Sequence, residues 1–550
     1  MNGRISFKSE LDILGKLLRR GRVTSREFAR HMAIINNERD LRLGITPLSA
    51  RDLVPPFTIK TVQCSSLATP KMRAEELKRT GYNVFRVKAE TILIDLLTDS
   101  GTGAPSDEMM AEIMRADERY AHSITYEYFV ETASRIFNKK FIQPVHQGRA
   151  AENIAFSVLL KNLVEDAQKT GRSIVCTGNT YFDTTFANAT RMGARVINAT
   201  CAESEKTDES HPFKGNADVD QIREIIKKHG PENVGFIIMT VVNNSIGGQP
   251  VSLENLMAVH KLAKEHNILL ILDSARIFEN AYMIKQRESK YASYSIADIV
   301  HEMTGLADIV LMSCKKDAIA NMGGLIATDD ENLYNLFSSL GILIEGHYSY
   351  GGMSGRDLGA LTRGLEEGMD ENYLRHRINQ VTEFGNGFRR LGFPIQWPPG
   401  SNGIYLDARR FLSHINKIFF PAQRLCAEIY QRYGIRPVEI GLSLAGRGMD
   451  GIKIIPPVDF VRFTIPRRVL GGEHFAFMLE ALEDLYDDRE NIGGLVYDKE
   501  GLGNGHFTST FKPIFPGQMD GLRESTLEYF NTPFMTFERP YFPPNATGSF

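Results

Sequence analysis

Short β-branched runs alternate with longer amphipathic stretches through the middle of the chain. The apolar runs at 173–177, 234–242 and 268–273 have the length of buried strands, and 253–266 repeats its apolar positions at helical spacing. This βαβ rhythm predicts an α/β fold with a mostly parallel sheet covered by helices. In such sheets ligands bind at the carboxyl ends of the strands, so functional residues should directly follow apolar runs.

The pattern changes along the chain and predicts five segments. Residues 1–45 place apolar and charged positions at helical spacing and predict an N-terminal helical extension, which ends before Pro55-Pro56. Residues 46–95 are interpreted as an N-terminal arm and part of a small domain, and 96–359 as the large domain. Residues 360–515 become helical and then mixed, which predicts a smaller C-terminal domain. Residues 516–550 are rich in Pro, Phe and Thr and predict an irregular tail.

Composition narrows the classes of partner. The chain has 550 residues, of which 42% are hydrophobic, and a formal net charge of -3 from interspersed charges. Without a basic face, nucleic acid and anionic membranes are not expected as partners, and a small metabolite fits better. The apolar runs are far shorter than the roughly 20 residues of a transmembrane helix.

Cysteine usage and the N-terminus predict a cytoplasmic location. The five cysteines are scattered without C-x-x-C spacing, which indicates reduced thiols. The arginines of residues 19–30 could indicate a transit peptide, but Glu10, Asp12 and Glu27 lie among or near them and an apolar core is missing.

Three apolar runs end in polar residues that could carry chemistry. They lead to Asn243-Asn244, to Asp273, and to the string SCKKD at 313–317, which contains Lys316. Taken alone, Asp273 could cap the following helix, and Lys316 could be a solvated lysine at a strand end. Together they supply what pyridoxal 5′-phosphate (PLP) requires: a lysine for the Schiff base and a carboxylate that keeps the pyridine nitrogen protonated.

A third motif suits the phosphate of such a cofactor. The string HQGRAAE at 146–152 follows an apolar run at 141–145 and opens a predicted helix. Backbone N–H groups at a helix N-terminus bind phosphate. A plain strand-to-helix turn would explain Gly148 but not the whole string.

Nine strings closely resemble the tryptophanase and tyrosine phenol-lyase family. They are TDSGT (98–102), HQGRAAE (146–152), YFDTT (181–185), GGQPVS (247–252), DSAR (273–276), SCKKD (313–317), YGG (350–352), GRD (355–357) and VRFTIPRR (461–468). The resemblance runs from about 50 to about 510. It implies the fold of the PLP-dependent transferases (aspartate aminotransferase-like, fold type I), with a large domain and a smaller α+β domain.

The resemblance also implies how the cofactor is held. Lys316 is the cofactor lysine, Asp273 contacts the ring nitrogen, and Phe182 stacks on the ring. Asn244 and Arg276 bind the phenolic oxygen. The phosphate environment consists of Gln147, Gly148, Arg149, Ser313 and Lys315.

The family's substrate and cation contacts have matching positions as well. Arg462 corresponds to the clamp on the substrate α-carboxylate, assisted by Ser100 and Thr98, and Tyr120 corresponds to the general acid. A potassium ion is expected on the Glu118 carboxylate and the backbone carbonyls of Gly101 and Asn321, although Glu118 alone would be read as part of a solvated helix face. A homotetramer with sites between subunits is implied.

Three positions place the chain closer to the tryptophan-cleaving branch. Asp183 follows the stacking aromatic, Ile440 stands where the tyrosine branch has an arginine for the phenol oxygen, and His506 stands where that branch has phenylalanine. His347 departs from the apolar residue expected there, and a polar group in the pocket could favour another leaving group. Ala150 and Cys314 are smaller departures.

The leading hypothesis is therefore β-elimination of L-tryptophan to indole, pyruvate and ammonium. The alternatives are a β-eliminating lyase for another aromatic amino acid, such as tyrosine or a modified ring, or for an S-substituted cysteine. An aminotransferase on the same fold and a non-catalytic PLP-binding subunit are the alternatives from other classes.

Overall fold

The computed structural model describes residues 24–65, 67–448, 451–501 and 505–533. The α-helices in these ranges are α1 (Ser25–Arg42), α2 (Ala50–Leu53), α3 (Pro70–Thr80), α4 (Asp107–Arg115), α5 (Ile124–Phe137), α6 (Gly148–Lys169), α7 (Asp183–Arg191), α8 (Val219–His229), α9 (Leu253–Glu265), α10 (Ile277–Arg287), α11 (Ile296–Gly305), α12 (Glu331–Ile344), α13 (Gly355–Gly368), α14 (Glu371–Arg390), α15 (Ala408–Phe411), α16 (Pro421–Tyr433), α17 (Gly472–Asp487), α18 (Gly505–Thr508) and α19 (Met519–Asn531). Every one of these helices is too short or too polar to cross a membrane.

The strands form one large sheet and three small ones. They are β1 (Ile94–Asp95), β2 (Phe141–Val145), β3 (Val175–Gly178), β4 (Arg195–Asn198), β5 (Val234–Thr240), β6 (Leu270–Asp273), β7 (Ile309–Ser313), β8 (Gly324–Thr328), β9 (Gly403–Asp407), β10 (Ile435–Arg436), β11 (Val438–Ile440), β12 (Phe460–Thr464), β13 (Leu495–Lys499) and β14 (Thr510–Pro513).

The large sheet has seven strands in the order β2-β8-β7-β6-β5-β3-β4. Its strands run parallel except for β8, which is antiparallel to both β2 and β7. Successive residues of β5 point into different cores: Ile237 and Met239 pack into one cluster, and Phe236 and Ile238 into the other. Both faces of the sheet are therefore covered, as the continuous apolar runs predict.

A second core lies beside the three-stranded antiparallel sheet β11-β12-β9. Its buried side chains come mainly from residues 381–530, but Ile45, Val84 and Ile94 from the N-terminal part also belong to it. Strand β1 pairs in parallel with β10, which attaches the N-terminal part of the chain to the segment that forms this core. Segments distant in sequence thus share one core.

The prediction of an irregular tail over 516–550 is wrong for residues 519–531, which form α19. Met519 and Phe530 are buried, and Leu522 and Leu527 pack against the same core. Their spacing is helical, but the Pro- and Phe-rich end of the chain obscured it. Residues 534–550 lie outside the described residues. So do residues 1–23 of the predicted N-terminal extension, whose described part forms α1.

Candidate active site

A cleft lies at the carboxyl ends of β6 and β7, beside the N-terminus of α6. Its walls bring together residues from five separate stretches of sequence: Ser100, Gln147, Gly148, Arg149, Glu152, Phe182, Thr184, Asp273, Ala275, Leu311, Met312, Ser313, Lys315 and Lys316. Nine of the sequence-predicted site residues are among them. Their position follows from the topology, because parallel strands end at the same edge of a sheet.

Lys316 is an amine nucleophile that lines this cleft. Its Nζ donates a hydrogen bond to Ser313 Oγ at 2.9 Å. Burial and, to a smaller extent, the positive charge of Arg276 lower the pKa of Lys316 to about 8, against the opposing effect of nearby carboxylates that include Asp273. A lysine with this pKa has a substantial neutral fraction near pH 8, which a Schiff-base lysine needs.

Two buried carboxyl groups lie near this lysine. Burial raises the pKa of Asp273, and the Lys316 ammonium opposes that shift. Burial, together with the negative charge of Asp273, also raises the pKa of Glu152 to about 7. Glu152 accepts hydrogen bonds from Thr185 Oγ1 at 2.5 Å and from Asn188 Nδ2 at 3.2 Å. Sequence reasoning gave Glu152 no role, although it ends the HQGRAAE string.

The start of α6 is built for close approach to a neighbouring strand end. A Cβ added at Gly148 would lie 2.6 Å from Ser313 Cβ, so glycine alone fits there. Arg149 and Lys315 add positive charge beside this helix N-terminus, and burial lowers the pKa of Lys315. The residues fit PLP: the helix N-terminus, Arg149 and Lys315 offer donors and positive charge for its phosphate, and the same cleft holds the amine of Lys316 and the carboxyl of Asp273.

Arg276 belongs to a fully buried ion network. Its Nε and Nη2 bind both oxygens of Asp99, at 3.1 and 2.7 Å. Arg467 from the small domain also binds Asp99, at 2.9 Å, and Glu279 and Asp317, at 2.6 and 3.0 Å. Burial alone would raise the pKa of Asp99, but the two arginines hold it well below its usual value. Sequence reasoning missed Asp99 as the partner of Arg276 and Arg467 as the second arginine on the same carboxylate, although both stand inside resemblance strings.

Asn244 lies next to this network, after a strained backbone turn. The preceding Val242 has a φ of 53°, which is costly for a β-branched residue, and its carbonyl faces Arg276 Nη1 at 3.5 Å. Asn244 Oδ1 accepts hydrogen bonds from Asn402 Nδ2 and from the Tyr405 hydroxyl, each at 2.8 Å.

The three residues of the predicted leaving-group pocket come from distant parts of the chain. His506 Nε2 lies 3.6 Å from Asp183 Oδ2. Burial lowers the pKa of His506 to about 3, and the positive charge of Arg462 contributes. Ile440 is buried in an apolar cluster to which Phe85 belongs, and the Phe85 ring meets His506 edge-on at 5.4 Å. These contacts place the neutral imidazole of His506 close to an apolar cluster.

The predicted carboxylate clamp sits at the domain boundary. Arg462 Nη2 donates to the carbonyl of Leu97 at 2.9 Å, and its buried Nε has no hydrogen-bond partner within the described residues. Thr98 Oγ1 accepts from the backbone N–H of Ser100 at 3.0 Å, which shapes the loop between them. A buried guanidinium N–H without a partner fits a site for an anionic ligand.

Several predicted residues lie outside this cleft. Tyr120 is 71% exposed, and its ring contacts those of Tyr350 and His347 at 5.4 and 5.7 Å. Ser349 Oγ lies 2.8 Å from His347 Nδ1. Glu118 pairs with Arg356 at 3.0 Å.

The cation ligands predicted from Gly101 and Asn321 are neighbours. Gly101 O accepts a hydrogen bond from Asn321 Nδ2 at 3.0 Å, and a Cβ built on Gly101 would lie 2.8 Å from Asn321 O. The Glu118 carboxylate is instead engaged by Arg356 and accepts a hydrogen bond from the backbone N–H of Gly355 at 3.0 Å.

Comparisons with known proteins identify the family of this chain. A family profile described as beta-eliminating lyase matches residues 95–481. A tyrosine phenol-lyase from Nostoc punctiforme is 40% identical over 460 residues, covering 83% of this chain and 96% of the relative. A tryptophanase from Hyphomonas neptunium is 38% identical over 464 residues, covering 84% of this chain and all of the relative.

A solved structure shows the same fold at much lower identity. The serine palmitoyltransferase of Sphingomonas wittichii matches with a TM-score of 0.51 and 9% identity, covering 76% of this chain and 96% of that one. The predicted α/β fold of PLP-dependent transferases, fold type I, is confirmed. The profile and both relatives confirm the predicted family. The chain belongs to the β-eliminating lyase family and is a PLP-dependent lyase.

Proposed function

We propose that this lyase cleaves L-tryptophan to indole, pyruvate and ammonium. The observation that carries the proposal is the meeting of His506 with Asp183 at 3.6 Å, beside the apolar cluster that contains Ile440. A phenol needs a partner for its oxygen, and the apolar side chain of Ile440 offers none. An indole ring suits apolar walls with one polar contact for its N–H.

The residues divide the work as follows. PLP, bound through Lys316, supplies an electron sink for the substrate's Cα–H bond. Arg462 would bind the α-carboxylate, Asp273 would keep the pyridine nitrogen protonated, and the Lys316 amine, freed when the substrate amine takes its place, would remove the α-proton. Tyr120 protonates the leaving ring carbon so that the Cβ–C bond breaks with the electron pair going to the ring.

The position of Tyr120 supports an oligomeric site. It is exposed and lies outside the cleft formed by its own chain. We therefore propose a homotetramer in which Tyr120 and Glu118 complete the site of a neighbouring subunit, and a potassium ion bound by Glu118 together with Gly101 and Asn321. All five cysteines are free thiols, which supports a cytoplasmic location.

A tyrosine-cleaving activity is the second candidate. The relatives at 38–40% identity include several named tyrosine phenol-lyase, and identity alone does not separate them from the tryptophanase. His347, which contacts Tyr120, adds a polar group beside the proposed acid and would suit a polar ring or an S-substituted cysteine.

The test is product release from the purified protein with PLP and potassium. L-Tryptophan, L-tyrosine and S-methyl-L-cysteine are supplied separately, with a Lys316→Ala variant as control. Equimolar indole and pyruvate from tryptophan, lost in the variant, are expected. Release of phenol from tyrosine, with no indole from tryptophan, would show that the substrate is tyrosine and not tryptophan. Formation of a keto acid other than pyruvate would indicate transamination.

A further inference from the structure

The amide of Asn244 is oriented by two residues of the small domain. Tyr405 and Asn402 both donate to its Oδ1, at 2.8 Å each, and all three side chains are buried. Because the two contacts occupy the carbonyl end of the planar amide, its Nδ2 end faces away from them. The contacts therefore fix which end of Asn244 can donate a hydrogen bond elsewhere.

The backbone around this contact leaves no space for variation. Gly248 has a φ of 66°, and a Cβ there would lie 2.1 Å from Asn402 Oδ1 and 3.2 Å from a ring carbon of Tyr405. A glycine at this position lets the small-domain side chains reach Asn244 across the domain boundary.

Tyr405 also belongs to the strand pair that carries the carboxylate clamp. It lies on β9 directly opposite Arg462 on β12. One face of this small sheet thus carries both the guanidinium for the substrate and the hydroxyl that orients Asn244. The two functions move together if the small domain moves.

We propose that Tyr405, with Asn402, is a positioning residue that turns the Asn244 amide so that its N–H₂ donates to the phenolic oxygen of PLP. The proposal rests on the function proposed above. A donor at that oxygen favours its ionised form. An oxygen stabilised in this way attracts the proton on the neighbouring nitrogen, which joins Lys316 to PLP, less strongly. The pKa of that nitrogen would therefore be lower, and the visible absorbance of the cofactor would change at a lower pH.

The experiment titrates the visible absorbance of the holoenzyme with pH. Tyr405→Phe removes only the hydroxyl, and it should raise the midpoint by about 1 pH unit because a hydrogen bond to a charged group is lost. Tyr430→Phe is the matched control: it removes a buried hydroxyl of the same domain that bonds Thr91, and the midpoint should stay unchanged.

A second variant reverses the contact without removing bulk. Asn402→Asp places a carboxylate against the Asn244 carbonyl, which should rotate the amide and withdraw its donor from the cofactor. A shift of at least the size seen in Tyr405→Phe is expected. Thermal unfolding of each holoenzyme shows that the variants are folded.

Asn244→Ala separates the two ways to fail. A shift in Asn244→Ala without any in Tyr405→Phe and Asn402→Asp would overturn the positioning role. No shift in Asn244→Ala would remove Asn244 from the cofactor site, and the inference would fall with that assignment. An equal shift in Tyr430→Phe would reduce the effect to general loosening of the domain and would also overturn it.

Discussion

Replacing Gly148 by alanine tests whether the N-terminus of α6 is the phosphate site. The new Cβ would lie 2.6 Å from Ser313 Cβ and 3.1 Å from Ser313 Cα. Carbon atoms in ordinary contact are about 3.5–4.0 Å apart, so the helix and the end of β7 must separate by about 1 Å. Neither atom is the free end of a flexible side chain, so the backbone itself has to move.

The expected cost falls on cofactor binding. Overpacking of this kind costs about 1–3 kcal/mol. If this energy destabilises the PLP-bound protein relative to the apoprotein, the Kd for PLP rises by about 5- to 150-fold. Titration of the apoprotein with PLP, followed by the absorbance of the lysine-bound cofactor, measures this change.

Gly305→Ala is the matched control. Gly305 ends α11, and a Cβ there meets nothing within 4 Å. Its PLP affinity should equal that of the parent protein. If Gly148→Ala also bound PLP with a Kd within twofold of that of the parent protein, the N-terminus of α6 would not be the binding site of the cofactor phosphate. The reasoning from the helix N-terminus would then be refuted.

Three further predictions concern charge. Between pH 7 and pH 5 the free energy of unfolding should fall about 2 kcal/mol further in the parent protein than in His506→Asn. The reason is that histidine in the unfolded chain gains a proton near pH 6.5, whereas the folded side chain, with a pKa of about 3, does not. Chemical denaturation at both pH values measures the difference, and an equal pH dependence of the two proteins would contradict the prediction. The rate at which the apoprotein binds PLP should rise as the pH passes about 8, the pKa of Lys316. Asp273→Asn should lower the midpoint of this rise, because the Asp273 carboxylate raises the pKa of Lys316. A rate in stopped-flow measurements that does not depend on pH would contradict the role of the neutral lysine. Asp99→Asn should lower the free energy of unfolding by about 3–5 kcal/mol, because it leaves the buried Arg276 without its bidentate partner. The control Asp95→Asn, at an exposed ion pair, should change the free energy of unfolding little. Equal effects of the two variants in thermal unfolding would refute the distinction between buried and exposed pairs.

The central part of the fold could be predicted from sequence because its signals are local. Buried parallel strands are continuous apolar runs, and a polar residue directly after such a run lies at the ligand-binding edge of the sheet. This reasoning led to Asp273, Lys316 and the turn at Gly148, which the structure places around one cleft. The resemblance supplied the chemistry that the positions alone could not specify.

The partners of these residues could not be predicted in the same way. Tyr405 and Asn402 look like ordinary residues of a strand and its approach, and Asp99 looks like one polar residue in a loop. Their roles arise from contacts across 158 to 177 residues of sequence. Such pairing depends on how the domains pack, and no local pattern encodes it. Helix α19 differs from these cases, because a local signal was present in its sequence. Its helical spacing was obscured by the Pro- and Phe-rich segment that follows it.

The wall around His506 has a consequence for how the protein is made. Asn83 Nδ2 donates to the carbonyls of His506 and Ser509, at 3.1 and 2.8 Å, and the backbone of Phe511 bonds that of Gly81. These contacts join segments more than 420 residues apart. Because a ribosome adds roughly 5–20 residues per second, the early segment waits at least about 20 s for its partner. The apolar surface around Phe85 stays uncovered during that time. Until residues 506–511 have been synthesised, this surface is exposed to aggregation and available to a chaperone.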